Sequence, residues 1–140
     1  IKNVRECGAR IKLIDDGDIA AALSVVYQGT YDMYIGSGGA PEGVLAASAV
    51  ASLGGQMQGR LILDTPELMN RAANLGISDF NKIYSLSEMV KSDSLFVASG
   101  LTDGAILSGI KRQKDYFSIN SLVFSSGSIT NLERTIKHEL

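Results

Sequence analysis

The residues most able to do chemistry crowd into two short stretches, Asp15-Asp16-Gly17-Asp18 and Gly36-Ser37-Gly38-Gly39-Ala40-Pro41-Glu42. Each follows a short apolar run that reads as a strand. In an open α/β sheet, ligands bind beyond the carboxyl ends of the strands, near a switch in strand order. Two adjacent parallel strands joined by a right-handed crossover would put both stretches on one rim. Free N–H groups at a helix N-terminus suit an anion, and the Gly-rich loop leads into one. Glu42 in the first turn would repel a bare phosphate but would hold a metal ion that itself meets phosphate. The combination points to a metal-bridged phosphoester or a hydroxyl-rich ligand. It is not a Walker loop, because no Lys-Ser/Thr follows the glycines, and Ala40-Pro41 breaks the spacing of a dinucleotide fingerprint.

Each feature also has a plain structural role. Asp-Gly-Asp can be a turn with a helix cap. Glu42 can complement the helix dipole. The glycines can permit tight strand-to-helix packing. Their occurrence together on one rim favours a site. Asp103, in Thr102-Asp103-Gly104, repeats this strand-end chemistry as a peripheral site residue or a turn former. His138 is the one histidine, a remote candidate for a catalytic triad that reads as exposed, and Cys7 is the one cysteine, read as a small buried residue. An internal disulfide, a Cys-rich zinc site and a multi-histidine zinc site are thereby excluded. The four methionines read as core filler and Lys111–Lys114 as a solvated loop.

The elements that must position these residues alternate. Arg10–Ile14 reads as a strand, and Ile19–Tyr27 as a helix with Asp18 at its N-cap. Tyr31–Ile35 reads as a second strand, and Pro41–Leu53 as an Ala-rich helix buried between layers, stopped by Gly54-Gly55. Met57–Leu63 is a strand in which Gly59 marks a bulge or a close approach. Thr65–Leu75 is a helix capped by Thr65, Lys82–Tyr84 a brief strand, Leu86–Val90 a helical turn and Ser94–Ser99 a buried strand. Ile106–Lys111, Tyr116–Ser125 and Ser128–His138 read as antiparallel strands, with a hairpin turn at Ser126-Gly127. The fold class is therefore α/β: a βαβαβα layered sandwich with a mostly parallel sheet and antiparallel C-terminal strands.

Length and composition agree with one such domain. The chain has 140 residues, 45% hydrophobic and 20% charged, enough apolar surface for a single core and too little chain for two ordinary domains. Thirteen Lys+Arg against 15 Asp+Glu give a net charge of −2, so no basic footprint for nucleic acid or an anionic membrane is present. No apolar run of about 18 residues occurs, which excludes a membrane-spanning helix. Residues 1–8 read as the end of a helix from a preceding domain, stopped at Gly8, and residues 9–140 as a C-terminal α/β domain.

The run Gly36-Ser37-Gly38-Gly39-Ala40-Pro41-Glu42-Gly43-Val44 resembles the GIGGAPEGV signature of class II, GlpX-type, fructose-1,6-bisphosphatases. Gly8–Asp18 is similar to that family's strand and DGD segment, and Leu53–Leu61 to its LxGxMQGRL stretch. Ser92-Asp93 and Ala98–Gly104 resemble a later segment, so the likeness runs through nearly the whole chain in order. Ser37 departs from the family's usual Ile.

The resemblance implies the C-terminal half of the inositol-monophosphatase and fructose-bisphosphatase-like fold, whose active site lies between two α/β parts. It implies substrate contacts at Asp16, Gly17, Asp18 and Gly39, and a metal ligand at Glu42, with Mn2+ or Mg2+ as cofactor. The implied reaction is hydrolysis of the 1-phosphate of fructose 1,6-bisphosphate in gluconeogenesis, in the cytoplasm, by a homo-oligomer. The family's other metal carboxylates and phosphate-binding side chains fall before residue 1, so these residues alone are expected to be inactive without that N-terminal domain. A sedoheptulose-1,7-bisphosphatase, another sugar phosphatase of the superfamily, or a non-catalytic Rossmann-like anion-binding module are the alternatives.

Overall fold

A computed structural model of the chain describes residues 1–137; His138 lies outside the described residues. The elements in order are α1 (Lys2–Glu6), α2 (Asp18–Val26), α3 (Ala40–Ser52), β1 (Gln58–Arg60), α4 (Pro66–Asn74), β2 (Ile83–Ser85), α5 (Leu86–Met89), β3 (Leu95–Ser99), β4 (Lys111–Gln113), β5 (Tyr116–Ser125) and β6 (Ser128–Lys137). No helix among the described residues is long and apolar enough to cross a membrane.

The helices begin and end where local chemistry dictates. Gly17 precedes α2 with φ 91°, a left-handed conformation that a residue without a Cβ adopts freely. Asp18 is therefore the first helical residue and Gly17 the cap, one position from the expected N-cap. The start of α4 is as expected: the Thr65 hydroxyl oxygen accepts the Leu68 N–H at 3.3 Å, and Pro66 follows. Gly54 (φ 71°) and Gly76 (φ 82°) close α3 and α4.

The sheets differ from the expectation. Every ladder among the described residues is antiparallel, so the mostly parallel sheet is corrected. Arg10–Ile14 and Tyr31–Ile35 form no strand, and their backbones make no mutual ladder. A strand needs a neighbour to complete its hydrogen bonds, and alternating apolar residues cannot supply one. The βαβ crossovers that would have made a parallel sheet are consequently absent. The main sheet is built on the long hairpin β5–β6, turned at Ser126 (φ 49°) and Gly127 (φ 77°). β6 runs along one edge of β5, while β3 pairs with Leu122-side residues and β4 with Tyr116–Ser118 on the other. The strand expected over Ile106–Lys111 starts only at Lys111, so part of the expected solvated loop is β4, exposed throughout. β1 and β2 form a separate two-stranded ribbon.

The core sits between the helix pair α2–α3 and one face of the main sheet. Phe124 and Leu122 from β5, Phe96 from β3, Leu23 from α2 and Ala49 from α3 form its centre. The Phe124 ring lies 5.3 Å from that of Tyr27 and 5.9 Å from that of Phe96. A second cluster, Ala22, Ala46 and Val50, seals α2 against α3. The alanines of α3 let the helices approach closely, as expected of a helix between layers, although Val44 and Leu45 at its start remain exposed. The Gly127 N–H donates to the Ser52 carbonyl at 2.8 Å, which ties the hairpin to the end of α3. Of the methionines, Met57 packs on the second cluster, whereas Met33 and Met69 are exposed; Cys7 is also exposed rather than buried.

Candidate functional site

The packing of α2 against α3 brings their two N-termini together, and this is what assembles a site. Gly17's left-handed turn aims the chain into α2 so that Asp18 opens the helix. Gly39 caps α3, and its N–H donates to Glu42 Oε2 at 3.0 Å. Between them lies Gly38. A Cβ on Gly38 would collide with Asp18 Oδ2 and would stand 3.5 Å from Glu42 Oε2. Two carboxylates from two helix starts therefore border one glycine, where a side chain would have to displace the Asp18 carboxylate. Asp18, Gly39 and Glu42 are brought together as expected, but by adjacent helix N-termini and not by parallel strand ends.

Tyr34 completes the arrangement and was not anticipated. Its hydroxyl donates to Asp18 Oδ1 at 2.6 Å. Burial, the hydrogen bond to Asp18 and the carboxylate's negative charge push the Tyr34 hydroxyl up to about 12. The ring needs room as well: a Cβ on Gly36 would strike the Tyr34 hydroxyl. Gly36 and Gly38 thus clear space for Tyr34 and Asp18, respectively. The signal in the sequence was a tyrosine two residues before the first glycine of the loop.

Asp16 is placed differently. Its Oδ1 accepts the N–H of Gly17 at 2.7 Å, on an exposed turn. Asp103 is a turn former: its Oδ1 accepts the Gly109 N–H at 2.9 Å.

The donor set can be judged against a hard divalent cation. Asp18 and Glu42 offer carboxylate oxygens, the ligand type that Mg2+ and Mn2+ select. Glu42 Oε2 is engaged by the Gly39 N–H, and the residue is exposed. Such a cation takes about six oxygen ligands, and among the described residues no three of His, Cys, Asp or Glu gather to hold a metal ion. The residues fit the ion chemically and fall short of a complete set. The rim is open, with Glu42 and Gly39 exposed. A cavity of about 170 Å³ lies elsewhere, between Arg60, Ile62, Met69 and Phe80.

Comparisons with known proteins bear on the family. Residues 1–139 match the family model described as bacterial fructose-1,6-bisphosphatase, glpX-encoded. The chain is 40% identical over 141 residues to the D-fructose 1,6-bisphosphatase class 2/sedoheptulose 1,7-bisphosphatase of Prochlorococcus marinus strain MIT 9515, covering 90% of this chain and 42% of that protein. The proteins of the same description from Trichodesmium erythraeum and Trichormus variabilis are 38% and 39% identical, each covering 93% of this chain and 42% of the relative. The chain spans about two fifths of the length of the curated relatives it matches. Over nearly all its residues, the chain belongs to the glpX-encoded bacterial fructose-1,6-bisphosphatase family.

Proposed function

We propose that this chain is the C-terminal part of a metal-dependent sugar-bisphosphate phosphatase that hydrolyses the 1-phosphate of fructose 1,6-bisphosphate. The observation that carries the reading is the pair Asp18 and Glu42 bordering Gly38 at two adjoining helix starts. Glu42 would hold the divalent ion, Mn2+ or Mg2+, through the oxygen that Gly39 leaves free. Bound there, the ion supplies polarisation of the phosphoryl oxygens and a more acidic water.

The chain's own groups bind and orient. Asp18, held by Tyr34, presents Oδ2 toward Gly38, where it can accept a sugar hydroxyl. Asp16 and Gly17, on the exposed turn before α2, would contact the same sugar. Gly39 leaves room for a phosphate-bearing ligand to approach the backbone. The ion's remaining oxygen ligands and the phosphate-binding side chains would come from the three fifths of the family's length that these residues do not span.

A second reading has a specific observation behind it. The relatives are described as both fructose 1,6- and sedoheptulose 1,7-bisphosphatases. The two sugar bisphosphates share the hydroxyl and phosphate chemistry that this rim would meet, so both belong in the assay.

The test is phosphate release from each bisphosphate by the full-length polypeptide, with Mn2+ or Mg2+, and by its Glu42→Gln variant. A loss of about a hundredfold or more in the variant is expected. A folded, metal-loaded parent that releases no phosphate from either sugar, yet binds an anion without metal, would replace this reading with that of a binding module.

A further inference from the structure

Tyr34 is fixed at both ends. Its ring packs on the cluster Ala22, Ala46 and Val50, in the seam between α2 and α3 that brings the two helix starts together. Its hydroxyl donates to Asp18 Oδ1 at 2.6 Å. Two glycines of the loop make room for this pair. A Cβ on Gly36 would strike the Tyr34 hydroxyl, and one on Gly38 would strike Asp18 Oδ2. Neither glycine has a positive φ, so each position demands space and not a left-handed backbone. The last torsion of an aspartate is soft, and a carboxylate on its own turns through a broad range. With Oδ1 tied to a packed ring, Asp18 keeps one orientation, and Oδ2 stands toward Gly38. An ionised carboxylate only accepts hydrogen bonds. Oδ2 therefore recognises a group that brings a hydrogen, and a sugar hydroxyl is such a group.

We propose that Tyr34 is a positioning residue for the sugar: it holds Asp18 so that Oδ2 accepts the hydrogen of one sugar hydroxyl, and it thereby sets affinity for the sugar and not the rate of hydrolysis. This rests on the sugar-bisphosphate reading given above and goes beyond it by assigning the tyrosine. Tyr34 acts through Asp18 alone. Orienting the carboxylate in advance removes an ordering cost that the substrate would otherwise bear on binding. Fixing one side chain in this way is worth roughly three- to tenfold in affinity. A contact made equally in the bound substrate and in the transition state changes KM and leaves kcat. The phenol also stays a donor, because burial first and the Asp18 carboxylate second push its hydroxyl up to about 12. An ether oxygen in place of the sugar hydroxyl has no hydrogen to give and is discriminated against.

The experiment uses the full-length polypeptide with Mn2+ or Mg2+, as parent, Tyr34→Phe, Asp18→Ala and the double variant. It measures kcat and KM for fructose 1,6-bisphosphate, and the inhibition constants of fructose 6-phosphate and of inorganic phosphate. In Tyr34→Phe, KM and the fructose 6-phosphate constant are expected to rise together by roughly three- to tenfold. The inorganic phosphate constant and kcat should move by less than about twofold. In the Asp18→Ala background, Tyr34→Phe should add nothing further, since the tyrosine works through that carboxylate. Gly36→Ala displaces the hydroxyl without altering Tyr34 or Asp18, and it should raise the same two constants. Unchanged sugar constants in Tyr34→Phe overturn the proposal, as does an equal rise in the phosphate constant, a fall in kcat alone, or full additivity with Asp18→Ala. A parent that hydrolyses the bisphosphate while Tyr34→Phe is silent refutes the positioning role and leaves the function. A parent that hydrolyses nothing, yet binds fructose 6-phosphate in calorimetry more tightly than Tyr34→Phe does, retains the role and refutes the function. A parent that binds no sugar phosphate overturns both.

Discussion

The Tyr34 hydroxyl donates to Asp18 Oδ1 at 2.6 Å, joining the segment before the glycine loop to the first residue of α2. Asp18's carboxylate is held by one oxygen and offered to the rim by the other, which stands against Gly38. Tyr34→Phe is expected to cost about 0.5–1.5 kcal/mol in denaturant unfolding, the worth of one such bond. The folded Tyr34 hydroxyl, pushed up to about 12 from 10.0, keeps its proton more tightly than the unfolded one. Its contribution to stability is therefore complete below pH 10 and lost as the pH rises through 12. Ultraviolet titration of the phenols should show a late step that is absent in Tyr34→Phe. Asp18→Asn should bring that step down only part of the way, because burial is the largest cause of the shift.

Gly38 and Gly43 lie five positions apart and should respond oppositely to alanine. A Cβ at Gly38 meets Asp18 Oδ2, whereas one at Gly43, inside α3, meets nothing within 4 Å. Gly38→Ala must push Asp18 aside, and a loss of about 1 kcal/mol or more is expected as the Tyr34 bond breaks. The late phenol step should move back toward pH 10 in the same variant. Gly43→Ala is expected to stabilise by about 0.5–1 kcal/mol through helix propensity alone. Equal effects of the two changes would refute the arrangement at Gly38.

Glu88 is held on the surface by neighbours from two directions. Lys82 Nζ stands 2.7 Å from Oε1, and the Ser85 N–H and hydroxyl donate to Oε2 at 2.9 and 3.0 Å. The Lys82 contact first, then the two bonds from Ser85, lower the Glu88 carboxyl from 4.5 to about 2. A lowered folded value means that the associated stability is present above pH 4.5 and fades as the pH falls toward 2. Carboxyl NMR titration should place Glu88 well below its ordinary value of 4.5, and Lys82→Met should return it part of the way, because the two bonds from Ser85 remain.

The core prediction is the largest. Phe124 is fully buried between Tyr27 and Phe96, so Phe124→Ala is expected to cost about 3–5 kcal/mol, a large share of a small domain's stability. Leu95→Ala, one strand away on the sheet's open face, should change the 140-residue chain by no more than about 0.5 kcal/mol. Chemical denaturation of both variants measures the contrast.

Local chemistry alone settled much of this molecule. The extents of α3, α4, α5, β3 and β5, the hairpin at Ser126-Gly127 and the Thr65 cap were legible because caps, prolines and left-handed glycines act on their neighbours. That Asp18, Gly39 and Glu42 each stand at a helix start was legible too. The partners of strands were not. Arg10–Ile14 and Tyr31–Ile35 carry strand-like residues, but a ladder is a relation between segments distant in the chain, and here no neighbour completes one. Tyr34 was missed for the same reason: its contact with Asp18 spans 16 residues and arises only when α2 packs on α3. The sequence decided which carboxylates and glycines stand at the helix starts. Helix packing decided that they meet at paired N-termini, because burying Ala22, Ala46 and Val50 fixes how the two helices lie.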